Sequence, residues 1–553
     1  MKRIIISAIF IVSALSAVAQ DIYSATSISE NNYAGTARSI ALGNAMTAVG
    51  GDIGSFTINP AGSAVSSYNQ ITLTPDISVA FNASRYAPSF DISRGPSESD
   101  YGPLSKYKNT RFVLPNIGAN FNFETGNNAG LVSFSFGILS NVTNNYQDGF
   151  VASGQNIETS MLGALASDAT ADVYNDFWSL NDEVASNSYM ILKGSDVDPE
   201  LGESQYFGAT ESPDAEGIWR TLGAKNPLLQ ISSVSTYGTK RDLVLNMGFN
   251  ISNKVYLGVN FGMPRITTNY QERFSEGATD PEQYPIYCSD TYFKSSTYSY
   301  QLDRVVTGVY AKFGVIALPT DNLRLGLAVQ TPVSYNVSEG YSVSGNLTTG
   351  AFTNNSSASD NWSYRLRAPY RINAGVAYTF ANRAFVSLDY EMADYSIMRF
   401  NSVYDYNADY FYDNTLNKLF RGVQHMLRVG VEYRLTTALT ARAGYNLSTT
   451  PERYYMYNGE RVTFENYADF QYVALSSPKY YADKTMSFAA GLGYSTPGSL
   501  FFDLAARYTK YPTSTFMPYS DYIYDGNLLT VPSPTVSNSR SLLDIVLTIG
   551  CRF

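Results

Sequence analysis

The chain has 553 residues and a formal charge of −10, and its charged residues make up 16%, against an average of about 25% for soluble domains. That acidity excludes a nucleic-acid binder, which needs a basic face. Two cysteines exclude a disulfide framework or a zinc cluster, and a single histidine excludes His-paired metal or haem ligation within one chain.

Taken in chain order, the first segment is an address. Met1-Lys2-Arg3 is a basic start, residues 4–15 are mostly Ile, Val, Ala and Leu, and Ala17-Val18-Ala19 is a small-x-small cleavage pattern. Residues 1–19 therefore read as a secretory signal peptide, cut near Ala19 or Gln20. The alternative, a membrane anchor, is opposed by the length of the run, about sixteen residues interrupted by serines, and no later stretch offers the roughly 18 consecutive apolar residues of a spanning helix.

Residues 20–70 show no alternation. Ala37 to Val49 is expected to form a short helix, followed by a Gly50-Gly51-Asp52-Ile53-Gly54 loop. In Asn59-Pro60-Ala61-Gly62 the Asn is an N-cap and the Pro suits a first helical position, so a tight turn into a short helix is expected. Taken alone, this motif is an ordinary capped turn.

From residue 71 onward the chain is written in period two. Leu543, Ile545, Leu547, Ile549, Cys551 and Phe553 alternate with Asp544, Val546, Thr548, Gly550 and Arg552. Leu243, Leu245, Met247, Phe249 and Ile251 interleave with Val244, Asn246, Gly248 and Asn250, and Leu427 to Leu435 repeats the pattern with Arg428, Gly430, Glu432 and Arg434 between. One face is apolar; the other carries Gly, Asn and charges, among them Lys312, Arg324, Asp389, Glu391, Arg428, Glu432, Arg442, Asp503 and Arg507. Strands of about ten residues fit a tilted transmembrane crossing, and a lipid-facing sheet must close to pair its edges.

Strands are expected at 71–81, 111–123, 129–140, 240–252, 254–263, 298–318, 322–337, 363–380, 384–400, 421–435, 439–448, 485–495, 500–511 and 541–553. Short connections alternate with long ones, at 82–110, 141–239, 264–297, 338–362, 401–420, 449–484 and 512–540. The expected fold class is all-β: a transmembrane antiparallel β-barrel of about 14 strands over 71–553, both ends periplasmic, long loops outside. Such a barrel is wide enough to need filling, and the Gly-, Ala- and Ser-rich residues 20–70 are expected to be its small N-terminal plug, or hatch. The inward charges are expected to form a paired network joining strands and plug; lining a selective channel is the alternative. A soluble multi-sandwich protein is the competing fold.

Thr36 to Ala45, Asp52 and Asn59-Pro60-Ala61 resemble the hatch of the long-chain fatty acid transporter family of outer-membrane proteins (FadL/TodX/OMPP1 type). Leu131 to Gly137, Phe313-Gly314 with Pro319 to Gly326, Pro369 to Gly375, Leu388-Asp389-Tyr390, Leu427 to Arg434, Arg442 to Tyr445 and Gly491 to Tyr494 resemble its strands, in order. The resemblance implies a fourteen-stranded barrel with a hatch in a Gram-negative outer membrane. It also implies passive, ATP-free uptake of long-chain fatty acids or aromatic hydrocarbons through hatch movement. The Tyr- and Asp-rich loops, above all 141–239, depart from the family pattern.

Asp52, Asn59, Pro60, Ala61 and Gly62 are the candidate hatch hinge or fixation point. Met161, Leu162, Leu165, Phe177, Trp178 and Leu180 fall in a stretch of helical character that should face water; they are the candidate capture surface for a hydrophobic ligand. The alternative is that they pack the loop's own core. Loop tyrosines are more ordinarily an interfacial belt than a ligand site. His425 near a strand's outer end has no nucleophile motif beside it, so no enzyme is expected; Cys288 and Cys551 read as structural. No cofactor or metal is expected. Expected partners are a hydrophobic small molecule, outer-membrane lipid and lipopolysaccharide, and the barrel-assembly machinery. The competing function is a non-transporting barrel acting as a surface binding or secretion-shuttle protein.

Overall fold

The computed structural model describes residues 22–553 except 91–94, 198–202, 214–218, 222–225, 288, 382, 404–409, 465–466, 468–474, 476 and 525–528. The signal-peptide expectation and Cys288 lie outside the described residues. Eighteen strand segments form one sheet. They are β1 Gln70–Ala87, β2 Ser105–Glu124, β3 Leu131–Asn145, β4 Asp148–Asn156, β5 Leu228–Ile251, β6 Val255–Ala278, β7 Phe293–Ala317, β8 Leu323–Gln330 and β9 Ser334–Thr349. They continue as β10 Thr353–Arg367, β11 Arg371–Phe380, β12 Ala384–Asp394, β13 Arg399–Ser402, β14 Val423–Arg434, β15 Leu439–Thr449, β16 Lys484–Ser495, β17 Leu500–Phe516 and β18 Thr535–Arg552. Four crossings are built from two segments each (β3 with β4, β8 with β9, β10 with β11, β12 with β13), so the wall has fourteen antiparallel crossings.

Closure is explicit in the register. β1 pairs β2 on one side and β18 on the other, with Ile71 opposite Ala119 and also opposite Cys551. Every second wall residue faces out, as Ile71, Leu73 and Ile77 do on β1 and Leu325, Leu327 and Val329 on β8, all large apolar side chains left exposed. An exposed apolar belt on a closed barrel is a lipid-facing surface, and this is an outer-membrane-type barrel. Cys551 and Phe553 complete that belt at the chain's end.

At the periplasmic side the strand ends fall within a few residues of expectation. Between β5 and β6 the turn carries Ser252 and Asn253 with φ of 56° each, the mirror-image hairpin geometry that matches strand twist. At the other side the strands run further than expected. Residues 338–362 are not a long loop but the hairpin β9–β10, and 264–297 is mostly β6 and β7. The reason is visible in composition. Above the belt the outward residues become Ser, Thr and Asn, so the apolar alternation stops while backbone pairing continues.

Inside the barrel, residues 22–66 fill the lumen. Helix α1, Ile22–Ser29, and helix α2, Ala37–Ala41, are followed by two single 3-10 turns, Ile53–Thr57 and Pro60–Ser63. The helix expected over 37–49 stops at Ala41, because Gly43 and Asn44 adopt left-handed φ of 62° and 61°. α1 was not anticipated.

Candidate functional site: plug, wall seam and outer cap

The plug is held where its sequence has almost no side chains. Asn59 Oδ1 accepts from Ala61 N, while its Nδ2 donates to Thr47 O at 2.6 Å within the plug and to Val315 O at 3.2 Å in β7. Asp52 caps Ile53–Thr57, accepting from Gly54 N and from Thr36 Oγ1. Pro60 and Ala61 lie directly on the wall at Gly258, and Asn59 lies on Gly314; a Cβ on either glycine would collide with them. Gly62 carries the return bond, its carbonyl accepting from Gly51 N. Asn59 to Gly62, four of the five residues singled out from the sequence, form one plug turn pressed against β6 and β7, and Asp52 caps the turn before it.

The inward charges reach the same object. Lys312 Nζ donates to Thr57 O at 2.8 Å, Arg324 to Val49 O at 2.9 Å, and Arg507 to Tyr33 O at 2.8 Å. Asp389 accepts from Thr47 N at 2.6 Å. Glu391 accepts from Arg371, Arg428 and Asn373, and all four side chains are buried. Glu432 bridges plug Arg38 at 2.9 Å and wall Arg442 at 2.7 Å, and Arg442 continues to Asp503. A backbone buried without water must find internal partners. Here wall cations supply the donors for plug carbonyls.

Four further anchors were not singled out from the sequence. Lys240 Nζ donates to Ile28 O and Glu30 O, Arg371 to Ser29 O, Arg304 to Ser24 Oγ, and Arg421 to Thr26 Oγ1. They hold α1 and the segment after it. The signal was available, since Lys240 and Arg371 occupy inward positions of strands that were recognised.

The wall is not uniformly sealed. β2 pairs β3 only from Asn116 to Glu124, although β2 begins at Ser105. β3 ends at Asn145 and β4 turns inward, with Val151 O accepting from Ser84 Oγ of β1. That leaves the β2 edge over 105–115 without ladder partners on this side. Side chains bridge the seam instead. Arg241 donates to Leu114 O at 2.8 Å and Ser140 Oγ at 3.1 Å, Gln147 donates to Asn109 O at 2.9 Å, and Arg111 stacks 4.3 Å over the Tyr237 ring. A cavity of about 510 Å³ opens there, lined in part by Phe112, Leu114, Asn145 and Tyr237.

Outside the membrane, the 141–239 connection is partly strand and partly a folded cap. Helix α3, Met161–Tyr174, starts from the Ser160 cap, and helix α4, Leu180–Asn187, from a Ser179/Asp182 capping box. Met161, Leu162 and Leu165 are buried in the cap's own core, where Leu180 also packs, whereas Phe177 and Trp178 stand 45% and 39% exposed. The candidate capture residues thus divide into two groups, one internal and one facing water.

Glu276, well beyond the point where β6 leaves the belt at exposed Arg265, ties this cap down. It accepts from Ser160 Oγ at 2.6 Å, Met161 N at 2.7 Å and Gln230 Nε2 at 2.8 Å. Burial outweighs those three donors and pushes its carboxyl up to about 7. A raised acid contributes stability that is complete below its ordinary value of 4.5 and is lost as pH rises through about 7. The protection of amides 161–174, taken relative to their intrinsic exchange rate at each pH, is therefore expected to fall between those pH values in the native protein and to stay flat in Glu276→Gln. Equal pH dependence in both would sink this assignment.

No family model matches the chain, and no curated protein does. Solved structures do. A Pseudomonas aeruginosa FadL homologue shares 13% identity and a TM-score of 0.48, over 94% of this chain and 99% of that one. The Pseudomonas putida toluene transporter TodX shares 12% and 0.45 over 95% and 99%, and the CymD monoaromatic hydrocarbon channel 11% and 0.44 over 93% and 97%. The chain is similar to these FadL-type channels along its whole barrel. The order plug, then fourteen crossings, rests on the strand pairing described above.

His425 lies exposed in β14, its Nδ1 2.6 Å from Tyr390 OH. Cys551 is free on the outer face.

Proposed function

We propose that this barrel moves hydrophobic small molecules inward across a Gram-negative outer membrane by facilitated diffusion, with the plug closing the lumen. The observation that carries this reading is the interrupted β2–β3 ladder. A greasy solute gains little from a water-filled pore, because transfer into an apolar surrounding is its driving force. A seam in the wall, beside Phe112 and Leu114, gives such a solute a sideways path from the lumen to the acyl chains. Long-chain fatty acids or aromatic hydrocarbons are the substrate class this reading favours. Phe177 and Trp178 supply the outer collecting surface, and Asn59 the point from which the plug shifts.

The double variant Phe177→Ser/Trp178→Ser is expected to slow uptake of a labelled hydrophobic substrate about tenfold, since two exposed aromatic anchors at about 1.4 kcal/mol together are removed. The barrel itself should assemble normally. Unchanged uptake kinetics would remove the cap from the route. Mass spectrometry of small molecules retained in a mild, non-lipidic detergent tests the transport reading itself. A bound fatty acid or hydrocarbon is expected; a clean barrel carrying a stoichiometric protein instead would favour the secretion-shuttle function.

A further inference from the structure

The outer face of one side of the barrel is layered in a way that transport does not use. Lowest is the apolar belt, with Leu325, Leu327 and Val329 on β8 and Val386, Leu388 and Tyr390 on β12. Directly above it three arginines face outward and exposed: Arg365 and Arg367 on β10 and Arg399 on β13. Arg367 is paired with Arg399 across the antiparallel ladder, and Arg365 with Asn401. Like charges directly opposite on one face repel. No carboxylate among the described residues forms an ion pair with any of the three.

The three guanidiniums border a cavity of about 670 Å³, overhung by Tyr410 and Phe411 at the start of helix α5, Phe411–Phe420. Above the arginines the outward side chains of β10 are Ser363, Asn361, Ser359, Ser357, Asn355 and Thr353. On β9, Ser334 and Asn336 lie opposite the arginines, and Ser338, Gly340, Ser342, Ser344 and Asn346 face the polar residues above them. A second cavity, about 490 Å³, lies on this hydroxyl and amide wall between Arg273, Thr297, Ser344 and Ser357.

We infer that this face binds a phosphorylated, acylated saccharide lipid of the outer leaflet, and that Arg365, Arg367 and Arg399 hold its phosphate. The vertical order decides the occupant. Acyl chains match the belt. Guanidiniums are the side chains that meet phosphate oxygens bidentately, and an anion between Arg367 and Arg399 relieves their repulsion. Hydroxyls and amides above them suit sugar hydroxyls. A simple anion would use the middle layer alone. This inference rests on the outer-membrane placement and not on transport, so uptake and lipid retention can fail separately.

The test is native mass spectrometry of barrels extracted from outer membranes in mild detergent, with add-back of bis-phosphorylated lipid A or its dephosphorylated form. The wild type is expected to retain the phosphorylated form. The triple variant Arg365→Gln/Arg367→Gln/Arg399→Gln is expected to lose it about tenfold or more, since each charge-assisted contact is individually strong. The dephosphorylated form should bind wild type no better than the phosphorylated form binds the variant. Heat-modified gel mobility confirms that each barrel is folded. Should the triple variant fail to assemble, Arg399→Gln alone is expected to show the loss in part.

Equal retention by variant and wild type overturns the inference, as does equal binding of the dephosphorylated lipid. A matching loss in Arg265→Gln, an outward arginine elsewhere on the wall, would reduce the effect to general surface charge and overturn it too. Displacement of the lipid by inorganic phosphate at equal concentration would assign the site to a free anion instead.

Discussion

A Gly314→Val barrel is expected to assemble normally and yet leak. Gly314 faces inward from β7 where Asn59 and Pro60 press on the wall; an added Cβ would overlap Asn59 Oδ1 and stand 2.8 Å from Pro60 Cδ. The wall cannot retreat, because Gly314 is laddered to Gly258 on one side and Ala328 on the other. The plug must therefore move. Overpacking costs about 1–3 kcal/mol, which translates to roughly five- to 150-fold in the balance of seated and displaced plug. Single-channel conductance, or entry of a polar antibiotic the native barrel excludes, should rise by that order. Unchanged conductance with residues 53–63 still protected from protease would show that the plug turn is not the seal.

Glu391→Ala should be the most damaging change to plug retention. Its carboxylate lies between two buried guanidiniums, Arg371 and Arg428, and Arg371 also donates to plug Ser29 O. Removing one member of a buried ionic group leaves uncompensated charge and costs about 3–5 kcal/mol. Hydrogen exchange over 22–33 should accelerate accordingly while the wall strands remain protected. Adding Arg428→Met to Glu391→Ala is expected to recover part of the loss, because an apolar replacement removes a stranded charge. A Glu391→Ala protein with native exchange in the plug would show that the network braces the wall alone.

The barrel was legible because lipid imposes the simplest code a strand can carry. Ile71, Leu73 and Ile77 must be apolar and their neighbours need not be, so crossings and their number follow from period two. The code stops where lipid stops. On β10 the outward Thr353 to Ser363 positions are all polar, which reads as loop while the ladder with β9 continues unbroken. The inward charges were legible as inward, since Lys312 and Arg428 sit at the polar phase of their strands.

The plug was legible as composition only. Small residues and an Asn-Pro pair announce a segment that must pack closely, and Asn59 and Asp52 do cap short turns. Which wall glycines it touches, and that Lys240, Arg304, Arg371 and Arg421 hold α1, depend on residues hundreds of positions apart. The capture residues show the same limit. Met161 and Trp178 share one apolar stretch, but only folding buries the first and leaves the second in water.

By itself, then, the sequence determined a closed lipid-facing wall with a small-residue filling, because alternation and composition are local properties that every crossing repeats. Only the tertiary structure decided that the wall is interrupted. β2 over 105–115, of which 105–110 reads as loop, loses its partner to the inward turn of β4; its own sequence marks only the boundary, at Pro115, which has no N–H to donate just before the ladder with β3 begins at Asn116. Likewise Arg367 and Arg399 lie far apart in the chain. Their juxtaposition, and with it their mutual repulsion, exists only once the register sets them side by side.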